Sequence, residues 1–216
     1  MAARGLFITF EGGEGVGKST ALAYLSHQLN AAGVPVETTR EPGGTALGEE
    51  LRDVLLSTRK GPVDPMAELL LMFAARAQHI AERICPALDR GRWVLCDRFT
   101  DASYAYQAGG RGLPMNWVQQ LENLVQGELH PDCTLLLDAP VATGIERARG
   151  RGALDRFESE KTEFFQRVRE TYLRLAREGS GRYRLIDASQ PLAQVERQLQ
   201  EIGQELVRCW QEGADA

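Results

Sequence analysis

Cysteine is scarce in this chain, and its spacing argues against the site types that cysteine builds. Four cysteines occur among 216 residues, and none of them forms a C-x-x-C pair. Cys96 and Cys133 lie inside apolar runs, where a thiol behaves as a small hydrophobic side chain. The pattern indicates reduced thiols of a cytoplasmic protein rather than a zinc site.

The chain also lacks a positive net charge and a long apolar run. Its net charge is −5, whereas a general nucleic-acid binder needs a basic face that displaces counterions. No apolar run reaches the length that spans a membrane, and residues 1–4 lead into a strand pattern without a signal peptide. We therefore expect one cytoplasmic domain over residues 1–216 that binds neither nucleic acid nor membranes.

Short apolar segments alternate with longer helical patterns along the chain. The strand patterns cover 6–10, 34–39, 93–96, 134–137 and 183–186. The helical patterns cover 18–32, 45–57, 65–89, 114–127, 141–149, 157–178 and 191–212. This alternation predicts an α/β fold whose five-stranded parallel sheet lies between helices on both faces. Ligands of such sheets bind beyond the carboxyl ends of the strands.

The first strand pattern is followed by a glycine-rich loop that fits the phosphate-binding pattern G-x-x-x-x-G-K-[ST]. The loop reads Gly12-Gly13-Glu14-Gly15-Val16-Gly17-Lys18-Ser19, and Thr20 continues into the helix. Glycines let backbone N–H groups approach an anion, and the N-terminus of the following helix is directed at the same place. In this pattern Lys18 binds the outer phosphates of a nucleotide, and the Ser19 hydroxyl binds Mg²⁺.

A phosphate loop serves several classes of protein, and two of them find little support in this sequence. A regulatory GTPase needs an N/T-K-x-D motif, which the chain lacks. A motor needs a second domain or an oligomeric arginine finger, for which we expect little room in 216 residues. A kinase of a small molecule is the remaining class.

Asp97 and Arg98 come directly after the third strand pattern, beside the phosphate loop. A carboxylate at that position can bind Mg²⁺ or its water shell, and an adjacent arginine can hold a second phosphate group. A solvated ion pair is the alternative interpretation.

The segment at about 147–156 concentrates arginines between glycines. Mobile cations of this kind are what a lid over transferring phosphates requires, because they neutralise charge in the transition state. We expect Arg147 to matter least, since it falls within the preceding helix, and a solvated basic turn is the alternative. The arginines are Arg147, Arg149, Arg151 and Arg156.

Taken together, the motifs resemble those of bacterial thymidylate kinases. They are the phosphate loop, Arg-Glu-Pro-Gly-Gly-Thr at 40–45, Phe-Ala-Ala-Arg at 73–76, Asp-Arg-Phe at 97–99, Tyr-Gln-x-Gly-Gly-Arg-Gly at 106–112 and Leu-Asp-Arg-Phe-Glu at 154–158. They occur in the family's order and match its variant with a glutamate in the phosphate loop, here Glu14, and arginines in the lid. The resemblance implies transfer of the γ-phosphoryl group of ATP to dTMP on a P-loop kinase fold that acts as a homodimer.

The resemblance also implies roles for individual residues. Catalysis would rest on Lys18, Asp97, Arg98, Arg149, Arg151 and Arg156, and Mg²⁺ would be held by Ser19 and Asp97. ATP would be bound by Gly12, Gly13, Glu14, Gly15, Val16, Gly17, Lys18, Ser19 and Thr20. The acceptor dTMP would be bound by Glu11, Arg40, Pro42, Phe73, Arg76, Arg98, Ser103, Tyr106 and Gln107.

The residue that covers the thymine ring departs from the family's pattern. The family commonly has a phenylalanine four residues before Arg76, where this chain has Met72 and then Phe73. Either Phe73 still reaches the ring or the Met72 thioether covers it. The hydrogen bond from Arg76 to the thymine is expected in both cases.

The apolar run at 69–75 predicts how the chain assembles. It reads Leu-Leu-Leu-Met-Phe-Ala-Ala and is apolar on every face of its helix, so the helix must be buried on more than one side. Neighbouring helices of the same chain or a second copy of it can supply the cover. We predict a homodimer with this helix near its axis.

Two alternatives for the function are a kinase of another nucleoside monophosphate or metabolite and a non-enzymatic nucleotide switch.

Overall fold

The computed structural model describes residues 4–57, 61–150, 156–158, 160–179 and 181–214. Its centre is a sheet of five parallel strands in the order β2-β3-β1-β4-β5. The strands are β1 Phe7–Glu11, β2 Val36–Arg40, β3 Trp93–Asp97, β4 Cys133–Asp138 and β5 Tyr183–Asp187. This arrangement confirms the predicted parallel α/β fold.

Helices cover both faces of the sheet. They are α1 Lys18–Ala31, α2 Ala46–Leu56, α3 Pro65–His79, α4 Cys85–Asp89, α5 Thr100–Ser103, α6 Met115–Gln126, α7 Val141–Arg149, α8 Thr162–Glu178 and α9 Leu192–Ala214. Two π-helical turns, Ile80–Ile84 and Tyr104–Gly110, extend α3 and α5. Within the described ranges, no helix has both the length and the apolar character needed to cross a membrane.

The apolar run in β4 shows how the sheet is covered. Leu135 and Leu137 join the core formed with α1 and α9, whereas Leu136 joins a separate core formed with α8. Side chains alternate between the faces of a strand, so both faces must be covered before three consecutive leucines can be buried. β1 lies between β3 and β4, and all five of its residues are buried.

Two helical predictions needed correction. The pattern at 65–89 does not form one continuous α-helix, because a π-helical turn precedes the first turn of α4, where Pro86 lacks an N–H donor. The pattern at 157–178 becomes α8, which begins only at Thr162. The helical segment at 100–110 was not predicted, because it is short, ends in two glycines and shows no clear apolar period.

Candidate active site

The predicted phosphate loop lies between β1 and α1, at the carboxyl edge of the sheet. Gly12, Gly15 and Gly17 have φ angles of 137°, 68° and 93°, which L side chains rarely adopt. A Cβ atom on Gly15 would lie 1.9 Å from the carbonyl oxygen of Gly144, so only glycine permits this close approach to α7. No described side chain caps the start of α1, and its first N–H groups are therefore open to an anion.

Lys18 folds back over the phosphate loop. Its Nζ donates hydrogen bonds to the carbonyl oxygens of Gly13 at 2.7 Å and Gly12 at 3.2 Å. Burial and the positive charge of Arg98 lower the pKa of Lys18 to about 8. A phosphate ligand that replaced these carbonyl contacts would favour the charged form of Lys18.

Ser19 and Asp97 meet beside the phosphate loop. The Ser19 hydroxyl donates to Oδ2 of Asp97 at 3.1 Å, which joins the first turn of α1 to the end of β3. The described part of the chain has no group of three or more His, Cys, Asp or Glu side chains that could hold a metal ion by itself. One hydroxyl and one carboxylate suit Mg²⁺, which keeps several waters and takes its other oxygens from nucleotide phosphates.

Arg98 connects the phosphate loop to the space beside it. Its backbone has a φ angle of 73°, a strained value for a residue with a side chain. Its guanidinium donates to the carbonyl of Gly12 at 3.0 Å, to Oε1 of Glu14 at 2.6 Å and to the hydroxyl of Tyr106 at 2.9 Å. Tyr106 in turn donates to the same Glu14 oxygen at 2.7 Å. These bonds hold the cation in place before any ligand arrives.

Glu11 lies beneath this arrangement and is fully buried. Its carboxylate accepts hydrogen bonds from the N–H of Phe99 and the hydroxyl of Tyr172, both at 2.7 Å. Burial and the charge of Asp101 raise the pKa of Glu11 to about 8. Glu11 thus fixes the backbone next to Arg98, and its contact with the acceptor stays a prediction.

A cavity, here called the central cavity, opens beside Arg98. Pro42, Arg76, Arg98, Ser103, Tyr106 and Gln107, which were all predicted to bind the acceptor, lie in its wall. The complete lining is Glu14, Glu41, Pro42, Arg52, Leu56, Met72, Arg76, Arg98, Phe99, Ala102, Ser103, Tyr106, Gln107 and Phe157. The sequence patterns gave no reason to include Arg52, Leu56, Ala102 or Phe157, which reach the wall from separate segments.

Arg76 lies in the wall of the central cavity and has one donor without a partner among the described residues. Its Nε donates to Oε2 of Glu41 at 2.7 Å, and its Nη2 donates to Ser103 at 3.1 Å and to the Phe99 carbonyl at 3.2 Å. Its Nη1 is buried and has no hydrogen-bond partner among the described residues. A buried donor without a partner is costly, so a ligand that accepts this hydrogen bond would be favoured.

Glu41 holds Arg76 in this orientation and is itself held by His79, whose Nδ1 lies 3.0 Å from Oε1 of Glu41. Burial opposes ionisation of Glu41, but the charge of Arg76 and the contact with His79 lower its pKa. His79 was not anticipated from the sequence. The available signal was its spacing, since it follows Arg76 by one turn of α3.

Met72, and not Phe73, covers this part of the central cavity. Phe73 is 2% exposed and packs with Leu69, Ala108 and Val118 in the core. Its ring centroid lies 4.5 Å from the Arg76 guanidinium carbon. Met72 and Arg76 are one helical turn apart and both line the central cavity, whereas Phe73 does not line it. The contact of Phe73 with the acceptor stays a prediction.

Arg40 also lies outside the central cavity. It ends β2, donates to Oε2 of Glu49 at 2.9 Å, and lines a wider cleft together with Ser19 and Asp97. Its side chain is held by α2, and its place beside the acceptor stays a prediction.

Residues 151–155, half of the predicted lid, lie outside the described residues. Arg149 ends α7 and is exposed, whereas Arg151 is not among the described residues. Arg147 lies in the helix, as predicted, and donates to the Ala188 carbonyl at 2.9 Å. Arg156 donates to the Leu55 carbonyl at 2.7 Å and to Glu68 at 2.6 Å, so it is docked on α2 and α3 and stands apart from Arg149.

A second groove leads away from the phosphate loop toward α9. It is lined by Gly17 and Thr20 at the start of α1 and by Arg147 and Gln190 on the opposite side. The groove therefore begins at predicted nucleotide-binding residues and extends beyond the phosphate loop.

Known proteins are similar to this chain in sequence and in fold. The family model described as thymidylate kinase matches residues 10–199. The thymidylate kinase of Teredinibacter turnerae is 58% identical over 91% of this chain and 96% of its own length, and that of Alkalilimnicola ehrlichii is 53% identical over 99% of both chains. The crystal structure of thymidylate kinase from Ehrlichia chaffeensis superimposes with a TM-score of 0.75 at 31% identity, covering 93% of this chain and 99% of that one. The phosphate loop, the central cavity and these similarities lead to one conclusion: the chain belongs to the thymidylate kinase family.

Proposed function

We propose that this thymidylate kinase binds ATP on the phosphate loop and dTMP in the central cavity, and transfers the γ-phosphoryl group between them. The observation that carries the assignment of the cavity is the buried Nη1 of Arg76, which lacks a partner among the described residues. Thymine offers carbonyl oxygens to such a donor. A guanidinium held in plane by Glu41 and Ser103 is already oriented for that bond.

The two ends of the central cavity suit the two ends of dTMP. Arg76 and Met72 would receive the base, with the thioether against the ring and the guanidinium at its edge. Arg98 would receive the phosphate, because it already contacts the phosphate loop through Gly12 and Glu14. The acceptor phosphate would thereby lie next to the donor.

The donor would bind through the loop backbone and the N-terminus of α1. Lys18 would exchange its contacts with the Gly12 and Gly13 carbonyls for the outer phosphates. The groove lined by Thr20, Arg147 and Gln190 gives the adenine a place to lie.

The transfer itself needs little acid–base chemistry. An oxygen of the dTMP phosphate attacks the γ-phosphorus, a new P–O bond forms, and the bond to the β–γ bridging oxygen breaks to release ADP. The attacking oxygen is already ionised, so no strong general base is required. The protein contributes alignment and charge neutralisation by Lys18, Arg98 and the lid residues Arg149 and Arg151.

Ser19 and Asp97 would hold Mg²⁺, as their hydroxyl and carboxylate suit this ion. When bound, the ion supplies positive charge to the donor's phosphate oxygens. The hydrogen bond between the two side chains keeps both beside the phosphate loop.

A panel of acceptors tests the proposed reaction. ADP release is measured with saturating ATP and Mg²⁺ and with dTMP, dUMP, dCMP, dGMP or AMP. We expect turnover to require an acceptor and kcat/KM to be highest for dTMP. A higher value for another monophosphate would support the alternative kinase, and ADP release that no acceptor stimulates would overturn the proposal.

We further propose that the active form is a homodimer that uses α3. Leu70 is 50% exposed, and it continues a stripe of exposed small apolar residues, Ala67, Ala74 and Ala77, at one-turn spacing. On α6, Trp117 and Leu124 are 39% and 80% exposed. Apolar surface at helix spacing suits close helix packing against a second copy.

Sedimentation velocity at micromolar concentration tests the assembly. We expect a species of about twice the chain mass of 23.9 kDa. Leu70→Glu should shift it to the monomer, whereas Leu185→Glu, on the exposed face of β5, should not. A wild-type species with the mass of one chain would refute the homodimer.

A further inference from the structure

Glu68 is a fully buried carboxylate that the reaction described above does not use. It lies on α3 one turn before Met72 and two turns before Arg76, on the same helical stripe. Met72 and Arg76 line the central cavity, whereas Glu68 lies behind its wall.

Glu68 receives hydrogen bonds from three side chains on two separate segments of the chain. Its Oε1 accepts from Nε2 of Gln107 at 2.9 Å and from Nε of Arg111 at 3.3 Å. Its Oε2 accepts from Nη1 of Arg156 at 2.6 Å. Gln107 lines the central cavity, and Arg156 ends the predicted lid, so one carboxylate joins the cavity wall to the lid.

Arg156 contacts the ring of its neighbour Phe157. The Arg156 guanidinium carbon lies 4.3 Å from the centroid of the Phe157 ring, and the Arg156 N–H donates to the Leu56 carbonyl at 3.3 Å. Phe157 is 6% exposed and meets Tyr106 edge to face, with ring centroids 6.0 Å apart. Phe157 thus forms part of the wall of the central cavity in contact with the docked Arg156.

Folding stability alone does not explain why a buried carboxylate pairs with Arg111 and Arg156 here. A buried ion pair often contributes less than well-packed apolar side chains would, because both charges must leave water. An arrangement that spans the cavity wall and the lid instead fixes where two segments meet.

We propose that Glu68 is a positioning residue for the acceptor nucleotide. It anchors Arg156 so that Phe157 closes the central cavity, and it holds Gln107 at the cavity edge. Arg156 thereby serves as an anchor on α2 and α3 for the residue that follows it, Phe157. The inference rests on the proposed function, because it assumes that dTMP occupies the central cavity.

Steady-state kinetics of Glu68→Gln, Arg156→Gln and the double variant test the inference. Each single substitution should raise KM for dTMP at least tenfold, while KM for ATP stays within twofold and kcat within threefold. KM for dTMP in the double variant should be no higher than in the single variant with the larger effect, because both substitutions break the same Glu68–Arg156 ion pair. Glu205→Gln removes an ion pair between β5 and α9 and should leave all three constants unchanged.

The outcomes separate this inference from its alternatives. A wild-type KM for dTMP in both single variants, or effects that multiply in the double variant, would overturn it. So would a lowered kcat with unchanged KM in Arg156→Gln, which is the result for a cation on the transferring group. If Glu68→Gln is unfolded at the assay temperature, Arg156→Gln decides, because Glu68 then keeps its contact with Arg111.

Failure of the proposed function has a different signature. It would appear in the wild-type enzyme as ADP release that does not depend on dTMP. Failure of the role of Glu68 would appear only in the variants, beside a wild-type enzyme that uses dTMP.

Discussion

Replacement of Arg76 by lysine separates recognition of the base from stability of the fold. The guanidinium pairs with Glu41 in a region where Arg76 and Glu41 are 2% and 5% exposed. Lysine keeps a positive charge beside Glu41 but has a single nitrogen. Its three N–H donors diverge from that one atom, so a lysine bound to Glu41 cannot also place a donor where Nη1 of Arg76 lies.

The size of the effect follows from the lost bond. A hydrogen bond that involves a charged group contributes about 1.5–3 kcal/mol, which corresponds to a rise in KM for dTMP of roughly 10- to 150-fold. Arg76→Ala removes the charge as well and leaves Glu41 buried without its main partner. The loss of folding stability should then reach about 3–5 kcal/mol.

The assay combines KM for dTMP, KM for ATP and the melting temperature of each variant. In Arg76→Lys we expect only KM for dTMP to change strongly, and in Arg76→Ala we expect the melting temperature to fall too. Arg90→Lys, at an exposed position after α4, is the matched control. Wild-type binding of dTMP by Arg76→Lys, or equal weakening of both substrates, would refute the assigned role.

Three further predictions concern the phosphates. Lys18→Ala should remain folded but keep less than about a tenth of kcat, because a point charge on the outer phosphates contributes several kcal/mol, and higher activity would contradict this. The pKa of Lys18 is about 8 in the free protein. Because phosphates favour its charged form, ATP affinity should weaken as the pH rises through 8, and ATP binding at that pH should take up a proton. Calorimetry in buffers of different ionisation heat measures this uptake, and a binding enthalpy that is the same in all of them would contradict it. Neutral replacement of Arg149 or Arg151 should lower kcat more than it raises KM for dTMP, and unchanged kcat in both would favour the solvated-turn interpretation.

The sheet and the phosphate loop could be predicted from the sequence because the residues that define each of them are consecutive in the chain. The strand patterns predict all five strands. β1, β3 and β4 carry the apolar runs that strands buried on both faces need, whereas β2 and β5 are more polar and partly exposed. The loop at 12–19 carries its chemistry in consecutive residues, and its glycines occupy the positive φ angles that the pattern requires. Asp97 and Arg98 were predictable as well, because the end of a parallel strand is where such sheets bind ligands.

The choice between Met72 and Phe73 depended on the rotation of α3 about its axis. A helix that is apolar on all sides gives no preferred face, so the sequence left both residues open. The packing of Phe73 against Ala108 and Val118 settles the rotation, and it leaves Met72 and Arg76 on the cavity side. The same rotation places Glu68 opposite Gln107 and Arg156.

The sequence by itself thus determined the elements, the phosphate loop and the residues beside it, where neighbours in the chain are neighbours in space. Only the tertiary structure decided which carboxylate meets which cation. Glu68 and Arg156 are 88 positions apart, and Glu11 and Tyr172 are 161 positions apart. No local pattern selects such partners, because many arginines and carboxylates along the chain are chemically equivalent until packing brings a few of them together out of water.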